Sequence, residues 1–113
     1  MIVDDTPEAV AVLEAILAKR GHRVRLVESG SAALRELERR SVSLVVLDLD
    51  LPEMHGWEVL RRLRADPRLA GTPVIIHSAS AAASIPPADA VPDGIIGKGA
   101  SIPELVRALE RFV

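Results

Sequence analysis

The run Leu44-Val45-Val46-Leu47 is apolar at every position and ends in Asp48. A strand with one wet face alternates apolar and polar side chains, whereas a strand covered on both faces does not. The run therefore predicts a central strand of a parallel sheet with helices on either side. Short β-branched runs alternate with amphipathic stretches along the rest of the chain, which favours an open, doubly wound α/β sheet.

We expect five strands, near residues 1–3, 24–27, 44–47, 73–77 and 95–96, with helices between them. Thr6-Pro7 is typical of a helix start, and Ser101 to Glu104 forms a capping-box pattern before the last helix. The segment 79–92 departs from this alternation because its three prolines break helices. We expect at most a short helix near residues 80–84, so the fourth helix is degraded.

The composition indicates one globular domain. The chain has 113 residues, a net charge of −2 and no cysteine, so disulfides and thiolate metal sites are excluded. An acidic balance and scarce aromatic residues give no reason to expect direct contact with nucleic acid, and the arginines of the third helix are better interpreted as a solvated face. No apolar run approaches membrane-spanning length and no signal pattern is present, so we expect a cytoplasmic protein without membrane contact.

Carboxylates end two of the predicted strands. Asp4 and Asp5 follow the first apolar run, and Asp48 follows the third. The carboxyl ends of parallel strands meet at one edge of the sheet, where open α/β sheets bind ligands. Clustered carboxylates without basic neighbours are costly unless a hard cation joins them. The cluster therefore predicts a Mg²⁺ site and, with it, phosphate chemistry.

Over nearly its whole length the chain resembles a response-regulator receiver domain. Five spaced features carry the resemblance: Asp4-Asp5, the block from Asp48 to Gly56, Ser78-Ala79 after the fourth strand, Lys98 after the fifth, and the stretch from Gly21 to Leu34 with Gly30 and Ala33. The resemblance implies a flavodoxin-like (βα)₅ sheet with strand order 2-1-3-4-5.

The resemblance also implies a set of roles. Asp48 would accept a phosphoryl group from a histidine kinase or phosphotransfer protein, and Lys98 and Ser78 would contact the phosphoryl oxygens. Mg²⁺ would be held by Asp4, Asp5, Asp48 and the backbone carbonyl of Asp50. The domain would signal by contact with a downstream protein, and formation of a homodimer stays open. It would not be an enzyme, beyond phosphorylating or dephosphorylating itself.

Several positions depart from the family pattern. Ile95 stands where an aromatic residue is usual, Gly99 replaces the usual proline after the lysine, and His55 replaces Asp or Asn before the loop glycine. The first strand is also shorter than usual, so we expect one domain over residues 1–113 with a truncated first strand. Asp50 adds a carboxylate beside Asp48, and we expect it to tighten Mg²⁺ binding and to change the lifetime of the phosphoryl group.

Two alternatives remain. Ile95, Gly99 and the degraded helix fit a degenerate receiver that works as an interaction or dimerisation module without phosphorylation. Asp48-Leu49-Asp50 also resembles the Asp-x-Asp motif of haloacid-dehalogenase-type phosphatases, although that family places the motif nearer the chain start. His55 and His77 are isolated, and we interpret both as surface groups or satisfied structural groups.

Overall fold

The computed structural model describes residues 1–113 and contains one five-stranded parallel sheet in the order β2-β1-β3-β4-β5. The predicted fold and strand order are therefore confirmed. The strands are β1 (Ile2–Val3), β2 (Leu26–Val27), β3 (Val45–Leu47), β4 (Val74–Ser78) and β5 (Gly94–Gly97). The second strand is shorter than predicted, because Val24 lies before the paired residues.

Four helices cover the two faces of the sheet: α1 (Pro7–Lys19), α2 (Gly30–Arg39), α3 (Gly56–Ala65) and α4 (Ile102–Glu110). Neighbouring residues of each strand point to opposite faces. Val45 and Leu47 accordingly pack with α2 and α3, whereas Val46 packs with α1 and α4. Every side chain of β3 is buried, as its unbroken apolar sequence predicts. No helix has the length and apolar character needed to traverse a lipid bilayer.

The helix ends follow the sequence signals with one exception. Gly21, just past α1, has φ of 82°, the left-handed conformation that glycine adopts without a steric penalty. The hydroxyls of Ser29 and Ser101 accept hydrogen bonds from the backbone N–H groups of Ala32 and Glu104. Thr6 precedes α1, but its side chain makes no capping hydrogen bond. Its hydroxyl has another partner in the functional site.

The chain between β4 and β5 has no full helix. A single 3₁₀ turn, Ala81–Ala83, is the only helical structure there, which confirms the short helix expected near residues 80–84. Three prolines follow within the eight residues between Ser84 and Asp93, and they prevent a longer helix. The connection leaves Ile85 and Val91 largely exposed, at 87% and 66% of their surface.

Candidate functional site

The register of the sheet brings three carboxylates together. Val3 lies opposite Leu47, so Asp4 and Asp48 leave β1 and β3 side by side, and the Asp48 N–H donates to the Val3 carbonyl at 2.9 Å. Carboxylate oxygens of Asp4, Asp5 and Asp48 all lie within 4.8 Å of one another. Asp4 and Asp48 are buried, whereas Asp5 is exposed to solvent.

Lys98 supplies the only cation at this cluster. Its Nζ lies 3.1 Å from Asp48 Oδ2 and 3.2 Å from Asp4 Oδ2, and it also donates to the Thr6 hydroxyl at 3.2 Å. The Lys98 backbone N–H donates to the Ser78 carbonyl, which fixes the loop after β5 beside the end of β4. Burial lowers the pKa of Lys98, but the hydrogen bonds and negative charges of Asp48 and Asp4 outweigh it and raise the pKa overall.

Asp48 is held in its ionised form. Burial raises the pKa of its carboxyl, but the nearby Ser78 hydroxyl, hydrogen bonds from Lys98 and the Asp50 backbone N–H, and the charge of Lys98 bring the pKa below its usual value. The Asp50 N–H donates to Oδ1 at 3.2 Å and Lys98 donates to Oδ2 at 3.1 Å. A buried, ionised carboxylate is the form that acts as a nucleophile.

The side chain of Asp50 points toward the loop after β4. Its Oδ2 accepts hydrogen bonds from the Ser78 hydroxyl at 3.2 Å and from the Ser80 hydroxyl at 2.7 Å. The Ser80 backbone N–H in turn donates to the Ser78 oxygen at 3.2 Å. Ser78 is fully buried, and its hydroxyl lies near Asp48 as well as Asp50.

The donor set fits a magnesium ion. Asp4 Oδ2 is buried and accepts no hydrogen bond, although Lys98 Nζ lies 3.2 Å away as an ion pair, whereas Oδ1 accepts from the Thr6 backbone N–H at 2.8 Å and from Lys98 at 3.3 Å. The three carboxylates outnumber the one lysine, which leaves net negative charge at the edge of the sheet. Mg²⁺ takes oxygen ligands and keeps several waters, so one exposed carboxylate and two buried ones form a suitable set.

Gly56 allows the loop after β3 to fold back on the site. Its N–H donates to the Leu49 carbonyl at 2.9 Å. A Cβ at this position would lie 2.7 Å from the Leu49 Cα and still closer to the Asp48 carbonyl oxygen. Only glycine fits this approach of two backbone segments, so Gly56 sets the position of the residues that follow Asp48.

The structure adds residues that sequence reasoning missed. Thr6 contacts Lys98, and Ser80 contacts Asp50. The only sequence signal for these contacts is spacing: Thr6 lies two residues after Asp4, and Ser80 lies two residues after Ser78. The expectation for His77 is wrong, because its side chain is neither on the surface nor satisfied: it is 5% exposed and its Nδ1 has no partner. His55 does have a structural role, since its Nδ1 accepts from the Trp57 N–H at the start of α3.

Two of the surface pockets lie at opposite ends of the strands. The larger, about 340 Å³, is near Met1, Leu17 and Leu44, away from the carboxylates. A smaller one of about 280 Å³ lies beside Asp4 and Asp5. The chemistry of the carboxylates, and not cavity size, therefore marks the functional edge.

Curated proteins are similar to this chain in sequence. Protein PilH of Pseudomonas aeruginosa is 33% identical over 76 residues, which are 67% of this chain and 63% of that protein. The two-component response regulator ORR7 of Oryza sativa subsp. japonica is 37% identical over 79 residues, which are 69% of this chain and 38% of that protein. The chain spans 17%, 10% and 38% of the lengths of the first three curated relatives it matches.

A solved structure with the same fold contains a metal ion. The receiver domain of a sensor histidine kinase from Pseudomonas aeruginosa PAO1, with magnesium coordinated in its active site cleft, aligns with a TM-score of 0.83 and 31% identity over 98% of this chain and 93% of that one. The response regulator receiver domain family matches residues 1–110. The chain therefore belongs to the response regulator receiver domain family of two-component systems.

Proposed function

We propose that the protein is a phospho-accepting receiver whose acceptor is Asp48. The observation that carries this proposal is the state of Asp48: a buried carboxylate with a lowered pKa, paired with Lys98 beside two further carboxylates. A structural ion pair needs one carboxylate for one lysine. The surplus of negative charge is instead expected where a divalent cation and a phosphoryl group bind.

The proposed reaction is a single displacement at phosphorus. An oxygen of Asp48 attacks the phosphorus of a phosphohistidine, the new P–O bond forms as the P–N bond breaks, and the released imidazole nitrogen takes up a proton. Lys98 is close enough to move from the Asp48 carboxylate to a phosphoryl oxygen, and Ser78 offers a hydroxyl from the end of the neighbouring strand β4. Positioning and charge stabilisation supply most of the catalysis of phosphoryl transfer.

Mg²⁺ is the proposed cofactor, held by the carboxylates of Asp4, Asp5 and Asp48 and the backbone carbonyl of Asp50. When bound, the ion neutralises charge on the phosphoryl oxygens. Before it binds, Lys98 is the only cation that reduces the repulsion between Asp4 and Asp48.

The proposed partners are proteins. A histidine kinase or phosphotransfer protein donates the phosphoryl group, and a downstream protein reads the phosphorylated surface. We propose that residues 1–113 act as one receiver unit in the cytoplasm, without direct contact with nucleic acid or membrane. In this proposal the domain catalyses at most its own phosphorylation and dephosphorylation and does not turn over an external substrate.

Beryllofluoride, which mimics an aspartyl phosphate, tests the proposal. Trp57 is the only tryptophan and lies in the first turn of α3, so its fluorescence is a local probe. We expect saturable binding that requires both Mg²⁺ and Asp48, checked by calorimetry and compared with an Asp48→Ala variant. A folded protein that binds no beryllofluoride would contradict the proposal. Steady hydrolysis of added phosphoesters would instead support the phosphatase alternative.

One observation favours a second candidate, the degenerate receiver that acts as a phosphorylation-independent interaction or dimerisation module. Ile95 on β5 is 47% exposed and carries neither ring nor hydroxyl. It therefore cannot supply the aromatic side chain that is usual at this position of the family and would change its orientation on phosphorylation. Binding to a partner that is equal for wild type and Asp48→Ala, with and without beryllofluoride, would favour this candidate.

A further inference from the structure

Asp50 joins two loops of the functional site by its side chain. Its Oδ2 accepts from Ser80 Oγ at 2.7 Å and from Ser78 Oγ at 3.2 Å, and the Ser80 N–H closes the set by donating to Ser78 Oγ at 3.2 Å. Asp50 also touches the acceptor, since its backbone N–H donates to Asp48 Oδ1. One residue therefore contacts both the phosphorylation site and the loop after β4.

The Ser78 hydroxyl has a single proton to donate. In the structure Asp50 accepts it, although Ser78 also lies within reach of Asp48. A phosphoryl group on Asp48 adds strong acceptor oxygens and negative charge beside the Asp50 carboxylate. Ser78 then has a better acceptor than Asp50, and the two negative groups repel each other.

The loop that Asp50 holds continues to α3. Ser80 precedes the 3₁₀ turn Ala81–Ala83, and Ser84 directly follows it. The Ser84 hydroxyl accepts a hydrogen bond from Trp57 Nε1 at 2.6 Å. The turn itself contains only alanine, and two of its three residues are exposed. The hydrogen bonds at its two ends, to Asp50 and to Trp57, therefore hold it in place.

We propose that Asp50 is a positioning residue that holds Ser78 and the 3₁₀ turn in the unphosphorylated arrangement, and that occupation of Asp48 releases both and changes the environment of Trp57. This inference rests on the proposed function. It provides a route from Asp48 to the surface that needs no aromatic residue at position 95. Because Asp50 stabilises the unphosphorylated arrangement, removal of its charge or of its hydrogen bond to Ser80 should strengthen the binding of a phosphoryl mimic at Asp48.

Two variants separate the charge of Asp50 from its hydrogen bond. Asp50→Asn removes the charge but keeps an acceptor oxygen, whereas Ser80→Ala keeps the charge and removes the 2.7 Å hydrogen bond. Glu53→Gln is the matched control, because Glu53 is an exposed carboxylate in the same loop that forms no hydrogen bond or ion pair through its side chain. The Kd for beryllofluoride is measured by calorimetry, with Mg²⁺ saturating for each variant.

We expect Asp50→Asn and Ser80→Ala to lower the Kd about three- to tenfold and Glu53→Gln to leave it within twofold. The single indole N–H resonance of Trp57 gives a readout that general destabilisation would not produce. Beryllofluoride should shift this resonance in the wild type. Ser80→Ala should shift it in the same direction without any ligand.

Failure of the inference and failure of the proposed function give different results. If the wild type binds beryllofluoride but both variants match it in Kd and in the indole resonance, the role of Asp50 is overturned and the proposed function stands. If the wild type binds none, the proposed function fails. The resonance of ligand-free Ser80→Ala then still decides whether Asp50 holds the turn, since no shift would overturn that step as well.

Discussion

Lys98 shows how one side chain sets the resting state of the site. It is paired with two carboxylates whose side chains are each 2% exposed, while its own is 19% exposed. Two buried like charges at this separation repel strongly unless a cation lies between them. In the proposed reaction, Lys98 would have to leave this position, at least in part, to contact a phosphoryl group. Phosphorylation would therefore replace the ion pairs of Lys98 with Asp4 and Asp48 by a contact between Lys98 and the phosphoryl group.

His77 should make the domain sensitive to mildly acidic pH. Burial lowers the pKa of its imidazole below the usual 6.5, and the charge of Lys98 lowers it further, whereas Asp4 and Asp48 oppose the shift. The unfolded chain then binds the proton more readily than the folded domain does. The stability that depends on neutral His77 is complete above pH 6.5 and is lost as the pH falls toward the lower pKa of the folded state.

Urea unfolding at pH 7.5, 6.5 and 5.5 measures this effect. We expect the free energy of unfolding to fall as the pH is lowered in the wild type and to fall less in His77→Leu. The two proteins should differ by up to about 1.4 kcal/mol for each unit by which the pKa of His77 is lower in the folded domain than in the unfolded chain. His22→Gln is the control, because His22 is exposed, and it should follow the wild type. Equal slopes for all three proteins would mean that His77 is not the group involved. The lowered pKa of Asp48 lies below 3.8, outside this pH window.

Sequence reasoning found the residues whose positions follow from strand ends and missed those that depend on side-chain direction. Asp4, Asp48 and Lys98 come together because each directly follows a strand of one parallel sheet. The contact of Asp50 with Ser80 depends on the conformation of an exposed carboxylate, which no periodic pattern encodes. The burial of His77 depends on which side chains cover the end of β4.

At the level of elements, the loop from Asp48 to Gly56 connects β3 to α3 and positions the functional site. Strand order and the lack of a full helix between β4 and β5 were predictable, since an unbroken apolar run identifies β3 and three prolines exclude a helix before β5. The path of the chain after the 3₁₀ turn was not predictable. It is held by specific contacts, among them the hydrogen bond from Arg61 to Asp89.

Gly56→Ala should disturb both the fold and the site. The added methyl group would collide with backbone atoms of Asp48 and Leu49, which cannot rotate away as a side chain does. We expect a loss of about 1–3 kcal/mol in the free energy of unfolding, the usual cost of overpacking. We also expect weaker Mg²⁺ binding, because Asp48 and the Asp50 carbonyl belong to the displaced segment.

Gly71→Ala is the matched control, since a Cβ at Gly71 meets no atom within 4 Å. Its free energy of unfolding should stay within about 0.5 kcal/mol of the wild type. Urea unfolding and a Mg²⁺ titration followed by Trp57 fluorescence compare the three proteins. A Gly56→Ala domain with wild-type stability and Mg²⁺ affinity would show that the loop can move aside without cost.

At the level of the whole molecule, the sheet places its charges where strand order reverses. β1 lies between β2 and β3, so the helices that follow β1 and β3 pass to opposite faces and leave a crevice at the carboxyl edge. The two hydrophobic cores, one on each face, fix β1 and β3 next to each other. The carboxylates thus repel one another within a rigid frame, and any cation that joins them stabilises the entire fold.

Mg²⁺ should therefore raise the stability of the domain through Asp5. This residue is exposed and forms no hydrogen bond or ion pair through its side chain, so Asp5→Asn should change the free energy of unfolding by no more than about 0.5 kcal/mol without metal. A ligand that binds only the folded state adds about 2.7 kcal/mol at one hundred times its Kd. We expect the wild type to gain this amount and Asp5→Asn to gain much less at the same Mg²⁺ concentration.

Urea unfolding with Mg²⁺ and with EDTA measures the difference, and Glu38→Gln is the control because Glu38 is an exposed carboxylate on α2, outside the cluster. Glu38→Gln should gain as much stability from Mg²⁺ as the wild type does. If Asp5→Asn also gains the full amount, the ion binds without Asp5, and the buried pair of Asp4 and Asp48 alone would form the metal site. The Asp5 side chain is exposed and forms no hydrogen bond or ion pair. If Asp5→Asn alone loses the stabilisation by Mg²⁺, the metal is therefore assigned to this edge of the sheet.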